Sequence, residues 1–271
     1  MTRTPSLSRA FAPLLLTGWL LAACDDDNDE FFNGGRPDAP INVDSFTGDG
    51  EVILVWDSPG GGIESFNVYA FIDETDDFEV IGISTSTAFV DNDVVNGETY
   101  RYRVTSVDFD GDESDFSQEA FDTPRPDEYN VLVESLQADP QEAGFDLTSG
   151  RVVPADSPAA TFRFDEAGGQ PRIVPLNGAE VLNVGFVEQL SCRGATDCTQ
   201  VGFAPESGYF PEATLANVGD AYVFRIPTSG GRFFGVIRVS HTVEGLMVFD
   251  WAFQPDEGNR ELLRRPRPSR S

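Results

Sequence analysis

A single histidine, His241, stands among 46 aspartates and glutamates in this 271-residue chain, with three cysteines and no lysine. An imidazole can act as a general base, a proton donor or a metal ligand near neutral pH. A structural zinc site usually takes four ligands, which one histidine with so few thiols does not supply. A Ser-His-Asp set needs a serine placed by its own motif, and none occurs. Paired carboxylates can hydrolyse glycosides, yet so many acids nominate no particular pair. His241 is therefore read first as a partly exposed strand or turn residue, with ligation as the sharper alternative. A second cluster, Asp108-Phe109-Asp110-Gly111-Asp112-Glu113-Ser114-Asp115, alternates carboxylates around a glycine, as the oxygen ligands of calcium loops do. Glu119 falls twelfth from Asp108, where an EF-hand loop has its bidentate glutamate, but the glycine is fourth rather than sixth. Asp108, Asp110 and Asp112 are thus expected in a solvated turn, with weak Ca²⁺ binding as the lesser option.

The start of the chain carries a different chemistry. Arg3 and Arg9 precede an apolar run from Phe11 to Ala23. That run is far short of the roughly 20 residues that span a bilayer, so a signal peptide is expected over residues 1–23. Its end, Leu21-Ala22-Ala23-Cys24, resembles the bacterial lipobox, and the resemblance implies that Cys24 is lipidated. Several acyl chains, each contributing about 0.8 kcal/mol per buried methylene, would hold the protein at a membrane. Residues 24–36, opening with Asp25-Asp26-Asp27-Asn28-Asp29-Glu30, read as an acidic tether. The expected address is the cell envelope outside the cytoplasm, at the outer membrane or surface rather than the inner membrane. In that compartment Cys192 and Cys198 would pair as a disulfide, contributing about 2–3 kcal/mol for so short a loop.

Charge narrows the partners. Residues 25–124 hold 26 acids against 3 arginines, a net of −23, and residues 125–271 hold 20 against 13, a net of −7. Such a surface repels nucleic acid, whose phosphates need cationic contacts. Lysine-free, acid-rich composition fits either a saline habitat, where salt screens the self-repulsion, or a GC-rich codon bias.

Short runs of Val, Ile, Leu and Phe punctuated by Gly and Pro specify an all-β chain of two domains. In residues 37–124, Val52, Leu54 and Trp56 alternate, as do Phe66, Val68 and Ala70. Val80-Ile81-Gly82-Ile83 and Gln118 to Phe121 give further strands, and Asn96-Gly97-Glu98-Thr99-Tyr100 leads into Arg101-Tyr102-Arg103-Val104. These features resemble a fibronectin type III domain, which implies a β-sandwich with Trp56 in its core. The resemblance also makes Tyr100 a corner tyrosine bonded back to the backbone. Residues 125–127 close a Pro-rich, extended linker.

Residues 128–258 read as a second antiparallel β-rich domain. It ends in a meander of Ala221 to Ile226, Arg232 to Ser240 and Leu246 to Phe253. Four segments carry a resemblance to the HmuY-like domain of surface lipoproteins. They are Gly144-Phe145-Asp146-Leu147-Thr148-Ser149-Gly150, Tyr222 to Arg225, Gly231 to Val239, and Phe249 to Asp256. Founding members of that family capture haem through two axial histidines. The resemblance implies haem as a ligand here, but the chain departs from it in having His241 as its one histidine, so Met247 or a tyrosine would have to supply the second ligand. Residues 259–271, rich in Arg, Pro and Ser, read as a disordered tail. The leading expectation is a non-enzymatic, membrane-anchored cell-envelope lipoprotein with no cofactor, serving in adhesion, ligand binding or interaction. Its partner would be a protein, a glycan or a small ligand. The alternatives are a haem- or metal-capturing lipoprotein, and an envelope hydrolase or its accessory subunit.

Overall fold

A computed structural model of the protein describes residues 35–73, 75–190 and 199–262. Cys24, Cys192, Cys198 and residues 263–271 of the expected tail lie outside the described residues.

Seven antiparallel strands build the first domain: β1 Ile41–Gly48, β2 Glu51–Asp57, β3 Ile63–Ile72, β4 Asp77–Ser84, β5 Ala88–Asp91, β6 Tyr100–Asp108 and β7 Ala120–Asp122. They form a three-stranded sheet, β1-β2-β5, and a four-stranded sheet, β4-β3-β6-β7. This is the strand order of a fibronectin type III sandwich. Period-two alternation drives it: Val52, Leu54 and Trp56 from one sheet meet Phe66, Val68, Ala70, Tyr102 and Val104 from the other. Trp56 meets the Phe66 ring edge-on at 5.3 Å, a favoured aromatic geometry. The Tyr100 hydroxyl accepts the Val95 backbone N–H at 2.9 Å, closing the expected corner. Beside it, the buried Tyr102 hydroxyl donates to Asp91 Oδ2 at 2.9 Å. β5 escaped the sequence reading, since its four residues carry no alternation long enough to detect.

The second domain is a larger sandwich. Its strands are β8 Asp127–Glu134, β9 Gly144–Asp146, β10 Arg151–Val153, β11 Phe162–Asp165, β12 Arg172–Pro175, β13 Glu180–Phe186, β14 Thr214–Leu215, β15 Asp220–Pro227, β16 Arg232–Val243 and β17 Leu246–Gln254. One sheet runs β10-β9-β11-β12-β14 and the other β13-β15-β16-β17-β8, all antiparallel. Between them lies an aromatic core in which Phe145 meets Phe249 at 5.0 Å and Trp251 at 5.6 Å, and Phe162 stacks on Phe224 at 5.2 Å. The β13–β8 sheet is covered on its other face too. There Ala221, Val223, Phe234, Val236 and Ala252 pack against Val187, Leu190, Val201, Ala204, Tyr209 and Leu262. Strands buried on both sides have no polar face to alternate, so Ala221 to Phe224 and Phe233 to Ile237 read as unbroken apolar runs.

Two polar features lock the second core. Asp146 accepts from the Thr148 N–H at 2.9 Å and from the Thr148 and Ser149 hydroxyls at 2.6 Å each. This Asx-type turn delivers Gly150 at φ +65°, where a Cβ would lie 2.3 Å from the Trp251 ring. The buried Tyr222 hydroxyl donates to Leu215 C=O at 2.6 Å and accepts the Asn217 N–H at 2.7 Å. It thereby fixes β14 although that strand has only two residues.

Candidate functional site

The sequence-nominated residues fall in separate places. His241 is exposed on β16 opposite Val248, just past a register shift that begins at Val239. The shift breaks the alternation that turns Ile237 and Val239 inward, so the imidazole does not follow them into the core. Met247 is fully buried there, and it shares no open face with His241. Asp108 uses its carboxylate on its own turn: Oδ1 accepts the Asp110 N–H at 3.0 Å and the Asp112 N–H at 2.9 Å. Glu119 grips Arg101 with both oxygens, at 2.7 and 3.1 Å, and also accepts Arg103 at 3.2 Å. Among the described residues no group of three or more His, Cys, Asp or Glu is placed to hold a metal ion. No described helix is long and apolar enough to cross a membrane.

Arg36, just before the first domain, and the domain's two arginines are all committed to neighbours. Arg36 donates to the carbonyls of Glu113 and Ser114 and to Asp115. Arg101 lies 4.3 Å from the Phe71 ring centre, and Arg103 lies 4.4 Å from that of Phe78. Cation–π contact and the shared Glu119 hold this outer face of the β4-β3-β6-β7 sheet as a rigid ladder. Glu113 lies next to it and accepts from Asn67 at 2.9 Å, Tyr69 and Thr105. Burial alone would raise its carboxyl pKa, but these hydrogen bonds and the Arg36 charge outweigh it and hold the group below its ordinary value.

Arg125, passed over in the sequence because it reads as one more linker residue, joins the two sandwiches. β7 ends at Asp122 and β8 begins at Asp127, leaving four residues between. The Arg125 N–H donates to Gly48 C=O at 3.1 Å in the first sandwich. Its side chain is 1% exposed, and Nε donates to Leu262 C=O in the second. Around it Gly97 N–H donates to Pro124 C=O at 2.8 Å and Phe253 N–H to Pro126 C=O at 3.1 Å. Burial lowers the guanidinium pKa against the raising charges of Asp127 and Asp122. Burial likewise raises the Asp122 carboxyl, against hydrogen bonds from Thr47 and Ser45. The only sequence signal was an arginine between Pro124 and Pro126, where two fixed φ angles hold an extended backbone.

Leu262 shows that residues 259–262, expected in the tail, are packed. Arg260 C=O accepts the Ala204 N–H at 2.7 Å, and Leu262 N–H donates to Gly202 C=O at 3.0 Å. These bonds carry Arg260 to the end of the second sandwich, where the β15–β16 turn lies between two adjoining depressions. One, of about 500 Å³, is lined by Glu206, Arg232, Glu257 and Arg260. The other, of about 230 Å³, is lined by Glu180, Arg225 and again Arg232. Arg225 Nε donates to Glu180 at 2.6 Å, and its guanidinium lies 4.8 Å from the Tyr209 ring centre. Arg260 donates to Ala204 C=O and to Glu206, both at 2.7 Å. Glu257 accepts the Thr228 hydroxyl at 2.7 Å and lies over Gly231, where a Cβ would approach Oε1 to 2.8 Å. Sequence reasoning missed this groove because its side chains come from four separated stretches.

No family model matches the chain. Part of it is similar to the amylopullulanase of Thermoanaerobacterium saccharolyticum, at 38% identity over 82 residues, covering 30% of this chain and 6% of that enzyme. The amylopullulanase of Thermoanaerobacterium thermosulfurigenes is 36% identical over 89 residues, covering 32% and 5%. Among solved structures, a Fn3-like protein from Clostridium thermocellum is 26% identical, covering 34% of this chain and 98% of that one, with a TM-score of 0.29.

Proposed function

We propose that the protein is a non-enzymatic accessory module of the cell envelope, held at a membrane through a lipid on Cys24. The fibronectin type III sandwich acts as a stiff spacer, and the second sandwich presents the ligand-binding surface. The observation that carries this reading is the sealed junction at Arg125, which fixes one sandwich on the other instead of leaving a loose linker. The similarity to amylopullulanases supports it: the stretch shared is about a twentieth of each enzyme, the size of a module rather than of a catalytic apparatus. A glycan is accordingly the favoured ligand class. The sequence segments of the second sandwich that resemble the HmuY-like domain keep haem as the competing ligand.

Two measurements test the reading. The full chain incubated with starch or pullulan is expected to release no reducing ends, and steady release would overturn the non-enzymatic assignment. Cys24→Ser is expected to move the protein from the membrane pellet to the soluble fraction and to abolish labelling by an alkyne fatty acid. Unchanged fractionation and labelling would remove the lipid anchor.

A further inference from the structure

We infer that the arginine groove at the β15–β16 end of the second sandwich binds a carboxylate-bearing glycan, with Arg232 as the residue that engages the carboxylate. This rests on reading the second sandwich as the ligand-binding half. Arg225, Arg232 and Arg260 line the two adjoining depressions together with Glu180, Glu206 and Glu257. Two of the guanidiniums are already oriented, Arg225 by Glu180 and the Tyr209 ring, Arg260 by Ala204 and Glu206. Arg232 borders both depressions, is exposed, and has no hydrogen-bond or ion-pair partner for its guanidinium among the described residues. A planar fork of N–H donors matches the two oxygens of a carboxylate.

The rest of the groove selects the class of molecule that carries that group. Its wall holds both acceptors (Glu180, Glu206, Glu257) and donors (Arg225, Arg260), which suits sugar hydroxyls, since each both donates and accepts. Three glutamates beside a strongly acidic protein disfavour a dianionic phosphate more than a singly charged uronate. An extended peptide would need a free strand edge for main-chain pairing. The nearest edge, β13, is already bonded there: Val181 N–H donates to Phe210 C=O at 2.9 Å and Phe210 N–H to Val181 C=O at 3.0 Å. At Gly258 the floor carries no side chain and nothing lies over it, so a sugar ring can approach the backbone there.

The test is calorimetric titration of the detergent-solubilised full chain, at salt high enough to screen the oligomer's remaining carboxylates against the acidic protein, with hexagalacturonate and, in parallel, with maltohexaose. Wild type, Arg232→Gln and Arg151→Gln are compared, Arg151 lying on β10 outside the groove. Arg232 is exposed, so the shorter, neutral Gln is accommodated and the fold is retained. Saturable binding of hexagalacturonate, weakened about tenfold or more by Arg232→Gln and unchanged by Arg151→Gln, is the expected result. Equal weakening by both variants would reduce the effect to net charge and overturn the site. Binding of maltohexaose alone, indifferent to Arg232→Gln, would overturn the site while leaving a glycan-binding module. No binding of either glycan overturns the inference outright. Release of reducing ends during the titration would instead overturn the non-enzymatic reading on which it rests.

Discussion

Replacing Arg125 by methionine probes whether the junction is a strut or only a contact. The substitution leaves the backbone bond from residue 125 to Gly48 in place and removes the charged hydrogen bond from Nε to the Leu262 carbonyl. Hydrogen bonds to charged groups contribute about 1.5–3 kcal/mol, and the orphaned buried carbonyl adds a desolvation cost of about 1–3 kcal/mol that overlaps with it. The buried Asp122 carboxyl, whose pKa the Arg125 charge lowers against the rise that burial gives it, also loses that compensation. Against this, methionine relieves the burial of the guanidinium itself. The expected net loss is about 2–4 kcal/mol, which for a body of this size lowers Tm by about 5–15 °C. Trp56 and Trp251 each lie in one sandwich core and are the only tryptophans among the described residues, so fluorescence in urea reports both halves. Wild type is expected to show one transition. Arg125→Met should split it, with the second sandwich, deprived of its Leu262 clamp, unfolding first. Trp56→Phe and Trp251→Phe backgrounds assign each phase. A variant whose midpoint matches wild type and whose transition stays single would refute the reasoning, because the junction would then be energetically silent.

Three further outcomes are expected. Glu113, held below its ordinary value near 4.5, stabilises the first sandwich above its unfolded pKa, and that contribution is lost as pH falls through the folded one. Glu113→Gln should therefore flatten the drop in melting temperature between about pH 5 and pH 3; an unchanged slope would dismiss the network. Gly150→Ala puts a Cβ against Trp251 at a positive φ and should cost about 1–3 kcal/mol, seen as an earlier midpoint of the single transition, and in the Arg125→Met background as an earlier Trp251 phase with Trp56 unmoved. Hemin should give no saturable Soret shift that His241→Ala removes, because Met247 is sealed in the core, and a His241-dependent shift would favour haem capture.

Legibility in the sequence followed strand burial. β2 and β3 of the first sandwich bury one face each, so Val52-Leu54-Trp56 and Phe66-Val68-Ala70 alternate in plain view. Tyr100 was legible through its turn, and its bond to Val95 bears that out. In the second sandwich, β15, β16 and β17 were found as apolar runs, but nothing in a run says that two layers cover it. β9, β10 and β14 have three, three and two residues, too few for any period. The arginine groove was invisible for another reason. Arg225 and Arg232 flank one turn, but Arg260 comes from beyond β17, and Glu180 and Glu206 reach them only after the β-strands have paired. Asp108, Asp110 and Asp112 were seen as a cluster, but the sequence does not tell that Asp108 spends its oxygen on backbone N–H groups.

The contact between Arg125 and Leu262 spans 137 positions along the chain. Synthesis proceeds from the N-terminus, and domains tend to fold as they emerge. The first sandwich is complete once β7 has appeared, yet the pocket around Arg125 stays open until residue 262 arrives. During that interval the guanidinium and the outer face of the β13–β8 sheet are bare to solvent and to other nascent chains. The sheet's second apolar layer, which needs Val201, Ala204 and Leu262 as its cover, is therefore the late and vulnerable step of maturation. Loss of the few residues that end at Leu262 would damage a junction laid down more than a hundred residues earlier.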